Sequence, residues 1–285
     1  MSICYQQPEE MQSAIASWHE AGLRVALVPT MGGLHDGHLA LVKAALDGHD
    51  KVIVSLYVNP TQFAAHEDLA RYPRQMTQDK AALAPFGERV SIFAPKTLYA
   101  DDNATMIVPG GAALPLEGVH RPHFFAGVAT VVFKLFQAVP ADSAFFGEKD
   151  FQQLAVIRQM VRDLTLPIAI HAVPTIRASD GLALSSRNAY LTTAEREVAP
   201  VLRQVMQDCA KQAVAEKGLE AAYETAKAAL QAAGFGKVDY FHFCDPINLQ
   251  AVSYVRDDSR LMVAVWLGDT RLIDNESCQK LCAAQ

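Results

Sequence analysis

The chain has 285 residues, of which 51% are hydrophobic and 20% are charged, and its formal net charge is −6. This length and apolar content exclude a disordered chain and are sufficient for one large domain or two smaller ones. The acidic balance argues against a nucleic-acid partner or an anionic membrane, because both favour a basic surface.

Targeting segments and cysteine-based metal sites are not indicated. The first ten residues are polar and acidic, and no apolar run approaches the ~18 residues of a membrane span. Five cysteines are present, and only Cys278 and Cys282 are close together, which favours reduced thiols over disulfides or zinc. We therefore expect a cytoplasmic protein that binds neither nucleic acid nor a membrane.

In the first half of the chain, strand patterns alternate with helical patterns. Predicted strands occupy residues 24–29, 51–58, 90–94, 143–146 and 168–173, and predicted helices occupy residues 36–46, 128–139 and 151–162, with a further polar helix ending at residue 84. This alternation is typical of βαβ units. It predicts an α/β fold, a Rossmann-like open parallel sheet with helices on both faces.

After Pro174 the pattern changes. Thr192 and Glu195 are spaced as a capping box, and Pro200 is expected to interrupt the helix that they begin. A second helix is predicted over residues 219–232, ending before Gly234, and two strands follow at 237–244 and 260–267. We predict two domains, residues 1–176 and a smaller α+β domain of residues 177–285.

The stretch Pro29–His38, PTMGGLHDGH, carries the strongest chemical signal. It follows a predicted strand, at the sheet edge where open α/β folds bind ligands. Gly32 and Gly33 allow close approach of a ligand to the backbone, and the N-terminus of the next helix suits phosphate. His35 and His38 can donate hydrogen bonds to phosphate oxygens during phosphoryl or nucleotidyl transfer. A zinc pair and two unrelated surface histidines are the alternative interpretations.

Three further loops carry polar residues. FFGEKD, residues 145–150, ends a strand and supplies a lysine that can neutralise phosphate. LSSRN, residues 184–188, supplies hydroxyls and a guanidinium for phosphate oxygens. VNPTQF, residues 58–63, supplies Asn59 and Gln62 for a small polar substrate. Each stretch alone is compatible with an ordinary loop, but together they indicate a nucleotide-dependent enzyme.

In combination these motifs resemble the pantothenate synthetase family, the pantoate–β-alanine ligases, within the HxGH nucleotidyltransferase superfamily. The resemblance rests on HDGH, VNPTQF, FGEKDFQQL and SSRN, together with YPR at Tyr72–Arg74 and TRLIDN at Thr270–Asn275, and it extends in order from about Leu27 to Asn275. It implies a ligase that forms a carbon–nitrogen bond. Pantoate and Mg-ATP would give pantoyl adenylate and pyrophosphate, and β-alanine would then give pantothenate and AMP.

The resemblance also implies roles for individual residues. Those implied in catalysis are His38, His35, Lys149 and Arg187, and those implied at pantoate and β-alanine are Gln62, Gln153 and Asn59, with Tyr72 and Arg121 nearby. Those implied at ATP are Met31, Gly32, Gly33, Leu34, His35, Asp36, Gly37, His38, Gly147, Glu148, Lys149, Asp150, Ile176, Leu184, Ser185, Ser186 and Arg187. Residues 1–176 would bind ATP and pantoate, residues 177–285 would form a lid that excludes water, and the protein would be a homodimer.

The chain departs from the family pattern at two places. Where the family usually has RPGHF or RPTHF, this chain has RPHFF, so Phe124 replaces the usual histidine and His123 precedes it. Leu184 replaces the usual methionine before SSR. Asp79 is a weak candidate for Mg²⁺, which we expect ATP phosphates and water mainly to hold.

Three alternative functions remain open from the sequence. One is another nucleotidyltransferase with the HxGH loop, and the second is a non-catalytic nucleotide-binding module, which the altered RPHFF segment motivates. The third is a zinc hydrolase built on His35 and His38.

Overall fold

The structure, a computed structural model, describes residues 3–64, 67–216 and 218–283. The chain divides into two compact units. Unit 1 comprises Met1–Glu148 and Gln152–Pro174, and unit 2 comprises Lys149–Phe151 and Thr175–Gln285. None of the helices in the described ranges has the length and the hydropathy that a membrane span requires.

Unit 1 contains a six-stranded parallel sheet with the strand order β1-β4-β3-β2-β5-β6. Its elements are β1 (Cys4–Tyr5), α1 (Pro8–Glu20), β2 (Val25–Thr30), α2 (Asp36–Leu46), β3 (Lys51–Leu56), α3 (Met76–Leu83), β4 (Val90–Phe93), α4 (Glu117–His120), α5 (Phe124–Ala138), β5 (Ser143–Gly147), α6 (Phe151–Asp163, whose first residue groups with unit 2) and β6 (Ala169–Val173). The predicted Rossmann-like α/β fold is confirmed.

The strand order places a topological switch point in the middle of the sheet. The chain builds outward from β2 through β3 and β4 in one direction, and from β5 through β6 in the other. The two strands at the switch are neighbours, because Ala26 pairs with Ser143 and Leu27 pairs with Ala144. A crevice forms where neighbouring strands lead to connections on opposite sides, and ligands of open α/β sheets bind there.

The apolar periodicity predicted most of these elements, and the residues at the sheet centre explain why. The side chains of β2 from Val25 to Val28 and of β3 from Val52 to Val54 are fully buried, as expected for a parallel sheet covered on both faces. The helix predicted over residues 36–46 is observed at those bounds. Helix α1 was not predicted; it begins with Pro8 in its first turn and buries Met11 and Ile15.

Unit 2 contains the antiparallel sheet β7-β8-β9 and a group of helices. Its elements are α7 (Thr193–Val198), α8 (Val201–Glu216), α9 (Glu220–Ala232), β7 (Val238–Cys244), β8 (Arg260–Leu267), β9 (Thr270–Ser277) and α10 (Cys278–Ala283). Thr192 and Glu195 form the predicted capping box, and the helical run breaks around Pro200 as expected. Two strands were predicted here and three are observed. The third, β9, was not predicted because its polar residues obscure the strand pattern.

A buried histidine in unit 1 lies outside the predicted site. The His49 ring is 5% exposed, and its Nδ1 lies 3.1 Å from the carbonyl oxygen of Ala45. Its Nε2 is buried without a hydrogen-bond partner in the described part of the chain. The pKa of His49 is lowered, chiefly by burial and further by Arg24 and His171, while the Ala45 carbonyl and Asp142 act in the opposite direction.

This histidine predicts a loss of stability in mild acid. Its folded-state pKa lies below the unfolded value of about 6.5, so the unfolded chain takes up the proton first as the pH falls. The free energy of unfolding should therefore decrease from about pH 6.5 down to the folded-state pKa. Urea unfolding at pH 7 and pH 5 should show a smaller decrease for His49→Phe than for the wild type. Equal decreases for His49→Phe and the wild type would contradict the prediction.

Candidate active site

The loop that follows β2 leaves the sheet through a hydrogen-bonded turn. The Thr30 hydroxyl donates to the carbonyl oxygen of Ser55 at 2.6 Å and accepts from the Gly32 N–H at 3.2 Å. Gly32 and Gly33 have φ values of 84° and 64°, in the left-handed region that favours glycine. The double glycine therefore turns the chain sharply from β2 toward the start of α2.

The carboxylate of Asp79 holds this loop. Asp79 is 3% exposed, and its two oxygens accept hydrogen bonds from the Gly33 N–H at 3.1 Å and the Leu34 N–H at 2.8 Å. A Cβ atom at Gly32 would lie 3.0 Å from Oδ2 of the same carboxylate. Asp79, a weak metal candidate in the sequence, thus serves in the structure as an anchor for the loop backbone.

The two histidines of the HDGH motif form a reciprocal cap at the start of α2. His35 is the N-cap residue, and its Nδ1 accepts a hydrogen bond from the Gly37 N–H at 3.1 Å. The Nδ1 atom of His38 accepts from the His35 N–H at 3.3 Å. The ring centroids lie 4.1 Å apart. Because each Nδ1 is an acceptor, each neutral ring carries its proton on Nε2 and can act as a donor there.

The histidine pair lacks the surroundings of a zinc site. Among the described residues, no group of three or more His, Cys, Asp and Glu side chains is arranged to hold a metal ion. The ring atoms Nδ1 of His35 and His38 already accept backbone N–H groups. Two Nε2–H donors beside the positive end of α2 suit an anion better than a cation.

Gln62 lies beside this loop, on a 3₁₀ turn (Pro60–Gln62) after β3. Its Nε2 donates to Met31 Sδ at 2.9 Å, and its Oε1 accepts from Asn59 Nδ2 at 3.3 Å. The Asn59 amide is itself buried, donates to the Gly127 carbonyl at 3.2 Å and accepts from the Tyr99 hydroxyl at 2.9 Å. The structure thus brings Gln62 and Met31 together, with Asn59 behind Gln62.

Tyr99 is part of this arrangement, although no motif of the sequence predicted it. Its hydroxyl lies 3.1 Å from the Thr61 hydroxyl as well as donating to Asn59. Burial raises the pKa of Tyr99, although the bonds to Thr61 and Asn59 oppose the shift, so the phenol remains a neutral donor. Tyr99 follows β4 in a segment without a recognisable motif, and no local signal connects it with Asn59.

Arg121 is fixed by two carboxylates and a backbone carbonyl. Its guanidinium donates to both oxygens of Glu67, at 2.7 and 2.5 Å, and to the carbonyl oxygen of Gln62 at 3.2 Å. Glu117 lies 3.5 Å away. Burial acts to raise the pKa of Glu67, but the hydrogen bonds and charge of Arg121 outweigh it and the pKa is lowered. Arg121 therefore supports the backbone of Gln62.

The altered RPHFF segment contributes to the same support. The Phe124 ring centroid lies 3.9 Å from the guanidinium carbon of Arg121, within the range of a cation–π contact. His123 is exposed and makes no side-chain cap bond at the start of α5. The phenylalanine that replaces the usual histidine thus packs against Arg121.

Two successive glutamines on α6 differ in their surroundings. Gln152 is buried, accepts from the Glu117 N–H at 3.1 Å and donates to the carbonyls of Ala112 and Pro115 at 2.9 and 2.6 Å. Gln153 is partly exposed, and its amide makes no side-chain hydrogen bond within the described residues. Gln153 is therefore the one of the two whose amide is available to a ligand.

The GEKD stretch begins at the end of β5. Gly147 is the last residue of that strand, paired with Val173, and Glu148 follows it in unit 1. Lys149 and Asp150 belong to unit 2, where the Lys149 ammonium and the Asp150 carboxylate lie 4.0 Å apart.

The other predicted ATP residues of unit 2 lie on a short hairpin. The Leu184 N–H donates to the Ile176 carbonyl at 3.0 Å, and Arg177 and Ala183 form an antiparallel bridge. Ile176 and Leu184 therefore lie opposite each other. The Ser185 hydroxyl then accepts from the Arg187 N–H at 3.3 Å and caps the 3₁₀ helix Ser186–Tyr190.

A buried ion pair anchors this hairpin to β9. The Arg177 guanidinium donates to both carboxylate oxygens of Asp274, at 2.6 and 2.9 Å. Burial acts to lower the pKa of Arg177, but Asp274 and Glu276 outweigh it and the pKa is raised. Such a paired, bidentate geometry is what allows both charges to be buried.

Comparison with known proteins identifies one family. A sequence model described as Pantoate-beta-alanine ligase matches residues 3–277. A pantothenate synthetase of Caulobacter vibrioides is 50% identical over 272 residues, covering 93% of this chain and 95% of the relative. That of Paracoccus denitrificans is 47% identical over 268 residues, covering 93% and 94%.

Two solved structures are also similar along nearly the whole chain. The pantothenate synthetase of Thermus thermophilus has a TM-score of 0.89 at 40% identity, covering 97% of this chain and 99% of that one. The pantoate-beta-alanine ligase of Francisella tularensis, complexed with beta-gamma ATP and beta-alanine, has a TM-score of 0.82 at 34% identity, covering 98% of both.

The contact of Asp79 with the glycine loop can be tested by paired glycine substitutions. Gly32 and Gly22 have similar φ values of 84° and 76°, but a Cβ atom at Gly22 would meet nothing within 4 Å. Each alanine should cost about 1–2 kcal/mol because of the left-handed backbone. Gly32→Ala should cost about 1 kcal/mol more because it crowds the carboxylate. Urea unfolding measures both, and equal losses would show that the Asp79 contact does not constrain Gly32.

Proposed function

The chain belongs to the pantoate–β-alanine ligase family, and we propose that the residues described above perform the reaction of that family. The enzyme is an ATP-dependent ligase that joins pantoate and β-alanine to pantothenate through a pantoyl-adenylate intermediate. Each step of that reaction is assigned to particular residues of this chain.

The reaction proceeds in two displacements. A carboxylate oxygen of pantoate attacks the α-phosphorus of ATP, the bond to the β-phosphate oxygen breaks, and pyrophosphate leaves. The amine of β-alanine then attacks the carbonyl carbon of the adenylate, AMP leaves with the electrons of the acyl–oxygen bond, and the amine loses a proton. The first step requires no proton transfer, because the nucleophile is already an anion. The protein must therefore position the reactants and stabilise phosphate charge.

The reciprocal histidine cap is the observation that carries this assignment. Nδ1 of His35 and Nδ1 of His38 each accept a backbone N–H, so both rings offer Nε2–H donors at the start of α2. We assign these donors to the phosphate oxygens of ATP, and residues 31–38 as the loop against which ATP lies. Lys149 and Arg187 are assigned to the same phosphates as cations, and the charge that grows in the first step would be stabilised by all four side chains.

The remaining contacts follow from the surroundings of each side chain. Gln62 and Gln153 are assigned to pantoate, and Gln62 also to β-alanine. Asn59 is assigned as the residue that orients Gln62, since its amide already bonds Gln62, Gly127 and Tyr99. Ile176 and the hairpin that leads to Arg187 are assigned to the adenosine part of ATP.

Further properties belong to the same proposal. Mg²⁺ is assigned to the ATP phosphates, without a protein ligand, and chelation should abolish activity that added Mg²⁺ restores. Residues 177–285 are assigned the role of a lid that excludes water from the adenylate.

A homodimer through unit 1 is supported by exposed apolar side chains at Val108, Leu114 and Val119, and sedimentation velocity measures the oligomeric state. A cytoplasmic location is proposed and can be checked by cell fractionation.

Isotope exchange between pyrophosphate and ATP tests the assignment of the first step. With Mg²⁺ and pantoate but without β-alanine, the wild type should exchange label, because the adenylate forms reversibly. His38→Ala should lower exchange by about 10²–10³-fold, since it removes one charge-stabilising donor. His120→Ala, at an exposed position, is the control and should exchange normally. Exchange that does not depend on pantoate would contradict the substrate, and normal exchange by His38→Ala would contradict the role of that histidine.

The two glutamines of α6 provide a matched test of the pantoate assignment. Gln153→Ala should raise the KM for pantoate roughly 10–100-fold, as expected from the loss of one hydrogen bond to a carboxylate. It should leave stability nearly unchanged, because Gln153 makes no side-chain hydrogen bond within the described residues. Gln152→Ala should do the opposite, lowering the free energy of unfolding by about 1–3 kcal/mol as three backbone groups lose their partner. Steady-state kinetics and urea unfolding of both variants measure these effects. An unchanged KM for pantoate in Gln153→Ala would rule out the contact between Gln153 and pantoate.

A further inference from the structure

The side chain of Asn275, on β9, holds the backbone of Lys149. Asn275 is 2% exposed, and its Nδ2 donates to the carbonyl oxygen of Lys149 at 2.7 Å. The two residues are 126 positions apart in the chain and belong to the same compact unit. A buried amide that bonds the backbone of a distant segment fixes where that segment lies, because the bond is short and the amide is shielded from solvent.

A buried arginine orients this amide. The Arg260 Nε donates to Asn275 Oδ1 at 2.6 Å, so the oxygen of the amide faces Arg260 and the nitrogen faces Lys149. The two residues are diagonal neighbours across β8 and β9, since Asn275 pairs with Met262. The Arg260 guanidinium also lies 3.9 Å from the ring centroid of Phe151. The segment 149–151 is thus held at both ends, by Asn275 and by Arg260.

The preceding residue of β9 anchors the other ATP-binding stretch of this unit. Asp274 accepts the bidentate pair from Arg177, at the start of the hairpin that leads to Arg187. Its Oδ1 also accepts from the Asn275 N–H at 2.7 Å. Two adjacent residues of β9 therefore hold two segments of this unit. Asn275 holds the segment that carries Lys149, and Asp274 holds the hairpin that leads to Arg187.

We propose that Asn275 is a positioning residue for Lys149, with Arg260 fixing the orientation of its amide. The proposal rests on the assignment of Lys149 to the ATP phosphates. The lysine side chain is long and flexible, so its ammonium is placed well only if its backbone is held, and a displacement of about 1 Å is enough to weaken a catalytic contact strongly. Asparagine suits this position because one amide offers both the donor for Lys149 and the acceptor for Arg260.

Asn275→Asp is the most informative substitution. It keeps the volume and the acceptor for Arg260, but it replaces the donor with an oxygen that faces the Lys149 carbonyl. ATP affinity, measured by calorimetry with Mg²⁺ and without pantoate, should fall roughly tenfold, as for one misplaced charge-assisted contact. The kcat of pantoate-dependent pyrophosphate exchange should decrease, whereas the KM for pantoate should not change.

Tyr223→Phe is the stability control. It removes the acceptor of the Phe243 N–H in the same unit, so it should lower the unfolding midpoint while ATP affinity stays at the wild-type value. Equal losses of ATP affinity in Tyr223→Phe and Asn275→Asp would show that general loosening of the unit is responsible, and would overturn the proposal. If Asn275→Asp does not fold, Arg260→Lys is used as the test variant instead. We expect it to lower ATP affinity as well, because lysine cannot both donate to Asn275 as Nε does and stack on the Phe151 ring.

A double-mutant cycle with Lys149→Gln separates the proposal from the assignment it rests on. If Asn275 acts through Lys149, Asn275→Asp should change ATP affinity less than about twofold in the Lys149→Gln background, because the effects of coupled residues do not add. Additive effects would overturn the positioning role. Normal binding and exchange by Lys149→Gln alone would instead refute the assignment of Lys149, and the inference with it.

Discussion

The candidate site depends on one buried carboxylate that accepts two backbone N–H groups. Asp79 holds the loop between β2 and α2 by bonds to Gly33 and Leu34. Burying a carboxylate is costly, and hydrogen bonds to its charged form offset that cost. The loop conformation in turn directs His35 into the N-cap position of α2, where the reciprocal cap with His38 determines which ring nitrogen carries the proton. The protonation of the two rings therefore depends on a residue that lies 45 positions along the chain from Leu34.

Side-chain amides have a second role that the motifs do not reveal. Asn59 supports Gln62, Gln152 supports the backbone around Glu117, and Asn275 holds Lys149. In each case the amide bonds protein groups through both its oxygen and its nitrogen, which fixes its orientation. A buried amide is well adapted to this task because it combines donors and an acceptor in one rigid plane without a net charge.

The departure at RPHFF is absorbed by aromatic packing. Phe124 lies against the Arg121 guanidinium, which Glu67 and the Gln62 carbonyl already hold. The cation–π contact supports Arg121 from its face while the carboxylate binds its edge, so the two contacts do not compete. Phe124 thus supports the guanidinium that holds the Gln62 backbone, although its ring lacks the nitrogen atoms of a histidine.

The sequence by itself determined most elements of the parallel sheet and the loops that carry the family motifs, but not β1 or α1. Apolar runs and helical periodicity are local signals, and they located β2, α2, β3 and β5 because those elements form the buried centre of unit 1. The motifs after these strands were recognisable for the same reason. The strand β9 was missed because Arg271, Asp274 and Asn275 give it a polar pattern, and their partners are distant in sequence.

Only the tertiary structure decided which polar residues hold the site and which remain available to a ligand. Gln152 and Gln153 are adjacent and chemically identical, yet one bonds three backbone groups and the other makes no side-chain hydrogen bond within the described residues. The same applies to the bonds of Asp79 with Leu34, of Tyr99 with Thr61 and of Asn275 with Lys149, which join residues 38 to 126 positions apart. The physical reason is that a hydrogen bond depends on where the fold brings two groups, and no local property of the chain encodes that distance.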